Sequence, residues 1–131
     1  YFLLKENYKN IYVFNRTPKK NPFSKNKKIH FLLMNKIESY LKKSNLVINT
    51  IPINIFKKLK IKKIEKKIDI SDIVYNPMET DFLKHFINPN KKSYGIFMLL
   101  YQAIPCFKLW FGFVPKVDSV LLKKLKVKNT K

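Results

Sequence analysis

Apolar positions fall along the chain in two kinds of run. Short blocks rich in β-branched and aromatic residues recur at intervals: Asn10–Phe14 (NIYVF), Ile29–Leu33 (IHFLL), Leu46–Thr50 (LVINT) and Asp69–Tyr75 (DISDIVY). Such blocks read as strands. They are near-continuous rather than strictly alternating, as a sheet covered on both faces requires. Lys91–Tyr94 is predicted as a last short strand. Stretches with helical spacing lie between them. Tyr1–Lys9 reads as the last turns of an amphipathic helix, and Lys19–Lys27 as a weak helix interrupted by Pro22. Asn35–Lys43 places Ile37, Tyr40 and Leu41 on one face. Thr80–Phe86 is a short helix with Thr80 as N-cap, and Lys116–Lys126 an amphipathic closing helix. Strands alternating with helices predict an α/β fold with a parallel sheet.

The longest apolar run, Gly95–Gly112 (GIFMLLYQAIPCFKLWFG), predicts a buried helix of four or so turns. Its length would also suit a membrane span. Gln102, Pro105 and Lys108 argue against that, since a central Lys costs roughly 3 kcal/mol on insertion scales. Two readings of Gln102 stand. It is a core amide satisfied by backbone, or it points into a cleft and holds a polar ligand; left buried and unpaired it would cost roughly 1–3 kcal/mol. Cys106, the lone cysteine, excludes an internal disulfide and reads as a small buried hydrophobe in a reducing compartment. His30 and His85 lack ligand spacing with Cys106 or with carboxylates, so no metal site is expected.

Charge then changes the picture. The 131 residues carry 28 basic and 8 acidic side chains, a formal +20. That balance first suggests nucleic acid or an anionic membrane. Yet Arg16 is the only arginine, Ala103 the only alanine, and Gly95 and Gly112 the only glycines. Lys, Asn, Ile, Phe and Tyr abound, all encoded by AT-rich codons, so drift toward lysine accounts for the charge. Arginine is the residue for forked phosphate and base contacts, and a dedicated nucleic-acid binder with one of them would be unusual. The lysine-dense stretch Ile53–Lys67 reads as a solvated connection on the same grounds.

The lone arginine occupies a telling position. In doubly wound dinucleotide-binding folds the end of the second strand meets the adenosine ribose. An acid there selects NAD, whereas an arginine accommodates the 2′-phosphate of NADP. Here the strand ending at Phe14 runs into Asn15-Arg16-Thr17, with Lys19 and Lys20 following and no acid. A plain basic turn would look the same on this segment alone. The glycine-rich loop that completes such a site is not in the chain; it and a first strand should precede Tyr1. The chain opens on Tyr1 rather than Met, which reads as an incomplete frame or a processed piece.

Four stretches together resemble the C-terminal NADP-binding domain of shikimate dehydrogenase: VFNRTPKK (Val13–Lys20), VINTIP (Val47–Pro52), SDIVYNPMETDFL (Ser71–Leu83) and the Gly95–Gly112 run. Their order and spacing match the family over essentially the whole chain. The resemblance implies a doubly wound, Rossmann-like sheet lacking its first strand, with NADP as cofactor. Residues 1–92 would be the remainder of the NADP-binding domain, and 93–131 helices that close the substrate cleft. Asn15, Arg16, Thr17, Pro18, Lys19 and Lys20 match the 2′-phosphate loop, and Thr50 the strand-end threonine beside the cofactor. The backbone of Ile73 would meet the nicotinamide, Gly95 would pack there too, and Met98 would sit against the ring. Tyr75 and Gln102 match residues that hydrogen-bond the substrate. The implied reaction is reversible hydride transfer between NADPH and 3-dehydroshikimate, giving shikimate, in a cytoplasmic enzyme of aromatic amino acid biosynthesis. Its full-length form could be a homodimer.

The chain also departs from the family. Phe97 stands where a glycine is usual, Pro105 interrupts a helix normally free of proline, and Ile53-Asn54 replace Gly-Met. The family's catalytic Lys and Asp lie in an N-terminal domain to which nothing here corresponds, so no catalytic residue is assigned. Without a first strand, Ile11–Phe14 and Leu46–Thr50 lose their shared neighbour. The chain by itself is therefore expected to fold poorly and be inactive. The alternatives are a glutamyl-tRNA reductase, which has a similar Asn-Arg-Thr turn, a quinate-linked relative, or a basic nucleic-acid-binding module.

Overall fold

The computed structural model describes residues 2–6, 8–17, 20–52 and 55–125. The chain divides into two compact units, Tyr1–Lys43 and Ser44–Lys131, each described here by itself.

The first unit begins with a single helical turn, α1 (Phe2–Lys5), followed by β1 (Ile11–Asn15) and β2 (Ile29–Leu33). The two strands pair in parallel from Ile11 opposite Ile29 to Asn15 opposite Leu33. The connection between them holds no helix among the described residues, against the expectation for Lys19–Lys27. Side chains there compete with helical bonding. Asn21 Oδ1 accepts from the Phe23 amide at 2.8 Å, and Asn26 Oδ1 accepts from the Lys28 amide at 2.9 Å. Pro22, between them, has no N–H to give. The expected Asn35–Lys43 helix is split into a 3₁₀ turn, Met34–Lys36, and α2 (Ile37–Leu41). Ile37, Leu41 and Ile29 are buried. Tyr40 closes the helix onto the strands, its ring 4.6 Å from Tyr12 and 5.6 Å from Phe14.

The second unit runs β3 (Leu46–Asn49), α3 (Ile55–Lys58), β4 (Asp69–Asp72), α4 (Asp81–Lys84), β5 (Lys91–Ser93), α5 (Gly95–Phe111) and α6 (Ser119–Lys124). Its strands form a parallel sheet in the order β3-β4-β5. Parallel pairing with interleaved helices is the α/β arrangement expected. The strands end earlier than their apolar runs, β3 at Asn49 and β4 at Asp72, because the chain leaves the ladder there to make the loops described below. Each of β1 and β3 ends its own sheet, and among the described residues no strand pairs with its outer edge.

The lysine-dense connection is more than a solvated loop. Phe56 and Ile61 within it, and Ile68 just past its end, are buried. Phe56 packs on Phe82 at 5.3 Å and Phe86 at 5.9 Å between ring centres, and Ile64 bridges to Phe86 in parallel fashion. Most of its lysines are exposed, Lys66 instead donating to the Ser44 carbonyl at 2.8 Å, while every few residues an apolar side chain turns in.

α5 has the expected bounds and ends on Gly112 at φ 73°, whose amide donates to the Lys108 carbonyl. It continues through Pro105. Its burial, however, is not as expected. Only Gly95 is buried, while Leu109, Trp110 and Phe111 are 82%, 70% and 61% exposed. No other described element packs extensively along it. Phe107, Phe111 and Phe113 instead gather on one another at 5.3–6.3 Å. Apolar composition signals a face that needs covering, not what covers it. Cys106, expected inside, is exposed for the same reason. No helix among the described residues is long and apolar enough to cross a membrane. α6 begins later than expected, at Ser119, because Asp118 caps it by accepting from the Leu121 amide at 2.9 Å.

Candidate cofactor and substrate site

In open parallel sheets ligands bind beyond the carboxyl ends of the strands, and the residues singled out above lie at or beyond such ends. In the first unit β1 ends on half-buried Asn15, and Arg16, Thr17 and Lys20 follow as exposed residues. Among the described residues no acidic side chain pairs with Arg16 or Lys20. An unpaired guanidinium and ammonium at a strand end suit a phosphate dianion, which the guanidinium can fork and the ammonium can neutralise further. Pro18 and Lys19 lie outside the described residues.

In the second unit Thr50 follows β3 and is exposed, between buried Asn49 and half-buried Ile51. Asn49 fixes both neighbours of that threonine's backbone. Its Nδ2 donates to the Ile51 carbonyl and to Asp72 Oδ1, each at 2.9 Å, and its Oδ1 accepts from the Ile51 amide at 3.4 Å. Asp72, 1% exposed at the end of β4, is the hub. Its Oδ1 also accepts from the Val74 amide at 3.0 Å, and its Oδ2 from Thr80 Oγ1 at 2.5 Å. Thr80 Oγ1 in turn accepts from the Leu83 amide at 3.2 Å, the N-cap expected for α4. No buried side-chain N or O atom among the described residues lacks a partner. The sequence reading missed Asn49 and Asp72. The available signal was a carboxylate ending the Asp69–Asp72 strand, just before an apolar pair, in a chain with only 8 acids.

Ile73 and Tyr75 flank Val74. Ile73 is half-buried and its amide donates to the Asn49 carbonyl at 3.1 Å, while Tyr75 is 53% exposed. Gly95 is seated on this segment. A Cβ built on it would touch the Ile73 carbonyl oxygen and lie 2.5 Å from the Val74 oxygen and 2.6 Å from Ile73 C. Only a residue without a side chain lets α5 start so close to the strand end. Met98 and Gln102 stand three and seven positions beyond Gly95, so they share its side of the helix. Both are exposed. Gln102 lies roughly 10 Å along the axis from Gly95 at 1.5 Å per residue. Among the described residues nothing buries the amide, which can both donate and accept.

Ile73 and Gly95 are thus brought together, and Thr50, Ile73 and Tyr75 are carried by one hydrogen-bonded frame. A cleft of about 230 Å³ opens at the ends of β3 and β4, lined among others by Asn49, Pro52, Asp72, Asn76, Thr80 and Phe82. It does not include Tyr75, Gly95 or Gln102.

No family model matches the chain. Among known proteins it is similar to the shikimate dehydrogenase (NADP(+)) of Clostridium beijerinckii, 36% identical over 115 residues that cover 83% of this chain and 42% of that protein. The shikimate dehydrogenase (NADP(+)) of Methanobrevibacter smithii is 33% identical over 133 residues, 90% of this chain and 47% of the relative. The protein of the same name from Bartonella tribocorum is 32% identical over 141 residues, 92% of this chain and 46% of the relative. The chain spans a little under half the length of each.

Proposed function

Because the chain belongs to the shikimate dehydrogenase family, we propose that it forms the cofactor-holding part, with some of the substrate contacts, of an NADPH-dependent enzyme interconverting 3-dehydroshikimate and shikimate. The similarity over 83–92% of the chain carries this reading. The site geometry supports it through the lone arginine at a strand end and the exposed glutamine on the helix seated at β4.

The NADPH of the reading supplies the hydride; the chain's residues bind and orient. Arg16 would fork onto the 2′-phosphate, with Lys20 adding charge and Asn15 and Thr17 hydrogen bonds; Pro18 and Lys19, assigned to the same loop, lie outside the described residues. Thr50 would lie beside the cofactor. The Ile73 backbone would meet the nicotinamide and Met98 would lie against the ring, with Gly95 allowing the approach. Tyr75 and Gln102 hold the substrate's hydroxyls. The proton chemistry and the remaining substrate contacts fall to a catalytic domain outside these residues. In this reading residues 1–92 belong to the NADP-binding domain and 93–131 to helices closing the cleft, in a cytoplasmic enzyme. The reading also accounts for the exposed apolar face of α5, which the remainder of the enzyme would cover.

The test is turnover by the product of the complete gene with shikimate, quinate and glutamyl-tRNA. NADP-linked oxidation of shikimate, with Gln102→Ala raising KM for shikimate, supports the proposal. Turnover of quinate or glutamyl-tRNA in its place overturns it.

A further inference from the structure

We propose that Asp72 is a positioning residue: its carboxylate sets the loops that carry Thr50, Ile73 and Tyr75 without itself touching cofactor or substrate. The inference deepens the functional reading above and rests on it.

Asp72 is 1% exposed, and its oxygens take three hydrogen bonds from three separate pieces of chain. One comes from Asn49 at the end of β3, one from the Val74 amide just past β4, and one from Thr80 at the start of α4. Each candidate residue therefore lies between or beside fixed points. Thr50 sits between Asn49 and Ile51, which bond each other twice. Ile73 sits between Asp72 and Val74, which are also bonded. Gly95 then seats α5, with Met98 and Gln102, on the carbonyls of the same Ile73-Val74 pair. Removing the carboxylate would release β3's loop, β4's loop and the α4 cap together. It would also leave the Asn49 amide and the Thr80 hydroxyl short of a buried partner.

The chemistry of the hub predicts which substitution it tolerates. In Asp72→Asn the amide oxygen still accepts from Asn49 and Val74. Its NH₂ can donate to Thr80 Oγ1, which has a second lone pair beyond the one given to the Leu83 amide. Asp72→Ala keeps none of these bonds.

The experiment uses the product of the complete gene, with NADPH deuterated at the transferred position and 3-dehydroshikimate. Asp72→Ala is expected to lower kcat roughly 10- to 100-fold, as misplacement by about 1 Å can. It should also raise KM and enlarge the hydride isotope effect, because a misaligned transfer becomes rate-limiting. Asp72→Asn should restore all three toward wild type. Phe56→Leu, a core change outside the network, should reduce folded yield without moving KM or the isotope effect. Hydrogen exchange on the same proteins should quicken in Asp72→Ala at residues 49–52 and 72–76 and stay unchanged at 61–68. Should Asp72→Ala not fold, Asn49→Ala cuts a single arm and carries the same readouts. The inference is overturned if the variant behaves as Phe56→Leu does, or if exchange rises uniformly. If wild type fails to act on shikimate, the functional reading falls instead. Exchange alone then decides the role of Asp72, with selective quickening upholding it and uniform quickening ending it.

Discussion

Replacing Gly95 by alanine is the sharpest perturbation the fold offers. Alanine in a helix interior is favoured over glycine by about 1 kcal/mol, and by less in the first turn. At Gly95 the new methyl meets three backbone atoms of residues 73–74, with the Val74 oxygen at 2.5 Å. That is about 0.9 Å short of the 3.4 Å at which ordinary contact begins. A long side chain could swing aside, but these are carbonyls held in place by the Asp72–Val74 and Asn49–Ile73 bonds. Overpacking costs about 1–3 kcal/mol, and rigid neighbours place this case at the upper end. The net loss is then about 2 kcal/mol, or a shift of about 1 M in the urea midpoint for a slope of ~2 kcal/mol/M. Gly112 is the comparison, with φ 73° and nothing within 4 Å of its would-be Cβ. Gly112→Ala pays only the left-handed backbone, about 1–2 kcal/mol, and Gly112→Asn recovers part of it. Gly95→Asn recovers nothing. Urea unfolding of the complete gene product, followed by tyrosine and tryptophan emission, measures all four. A Gly95→Ala protein as stable as wild type would refute the close approach of α5 to β4.

Two further outcomes follow from the same frame. Thr80→Val removes both the α4 cap and the Oδ2 partner of Asp72, and should cost about 1–3 kcal/mol in thermal or urea unfolding. Thr80→Ser should cost markedly less, and equal losses would contradict the capping account. The isolated 131 residues should unfold without a cooperative transition and bind NADPH weakly, since among the described residues nothing pairs with the outer edges of β1 and β3 or covers the apolar face of α5; a sharp calorimetric transition with tight binding would contradict this.

β1, β2 and β3 were legible because each lies in a compact β-branched or aromatic block bounded by polar residues. Thr80 was legible as a cap because it precedes an acid and an apolar turn. The helices were harder. Lysine drift dilutes their apolar faces, and asparagines such as Asn21 and Asn26 bond their own backbone where helix was expected. The core role of Phe56, Ile61 and Ile68 was hidden among lysines whose charge dominates the local composition. The exposure of α5 could not be read at all, since hydropathy reports the need for a partner surface and not its presence. At the site, Arg16 stood out by rarity and Gln102 by contrast with its surroundings. Asp72 and Asn49 did not, because their meaning lies in a β3-to-β4 contact that only pairing in register creates.

In the proposed reading, Arg16 holds the 2′-phosphate of NADP in a shikimate-oxidising enzyme. The direct measurement is kcat/KM for NADP⁺ and for NAD⁺ with saturating shikimate, in the complete gene product and its Arg16→Ala variant. A forked charged contact is worth about 1.5–3 kcal/mol. The variant should therefore lose roughly 10- to 150-fold with NADP⁺ and change little with NAD⁺. Equal losses with both cofactors, or none with either, would contradict the account.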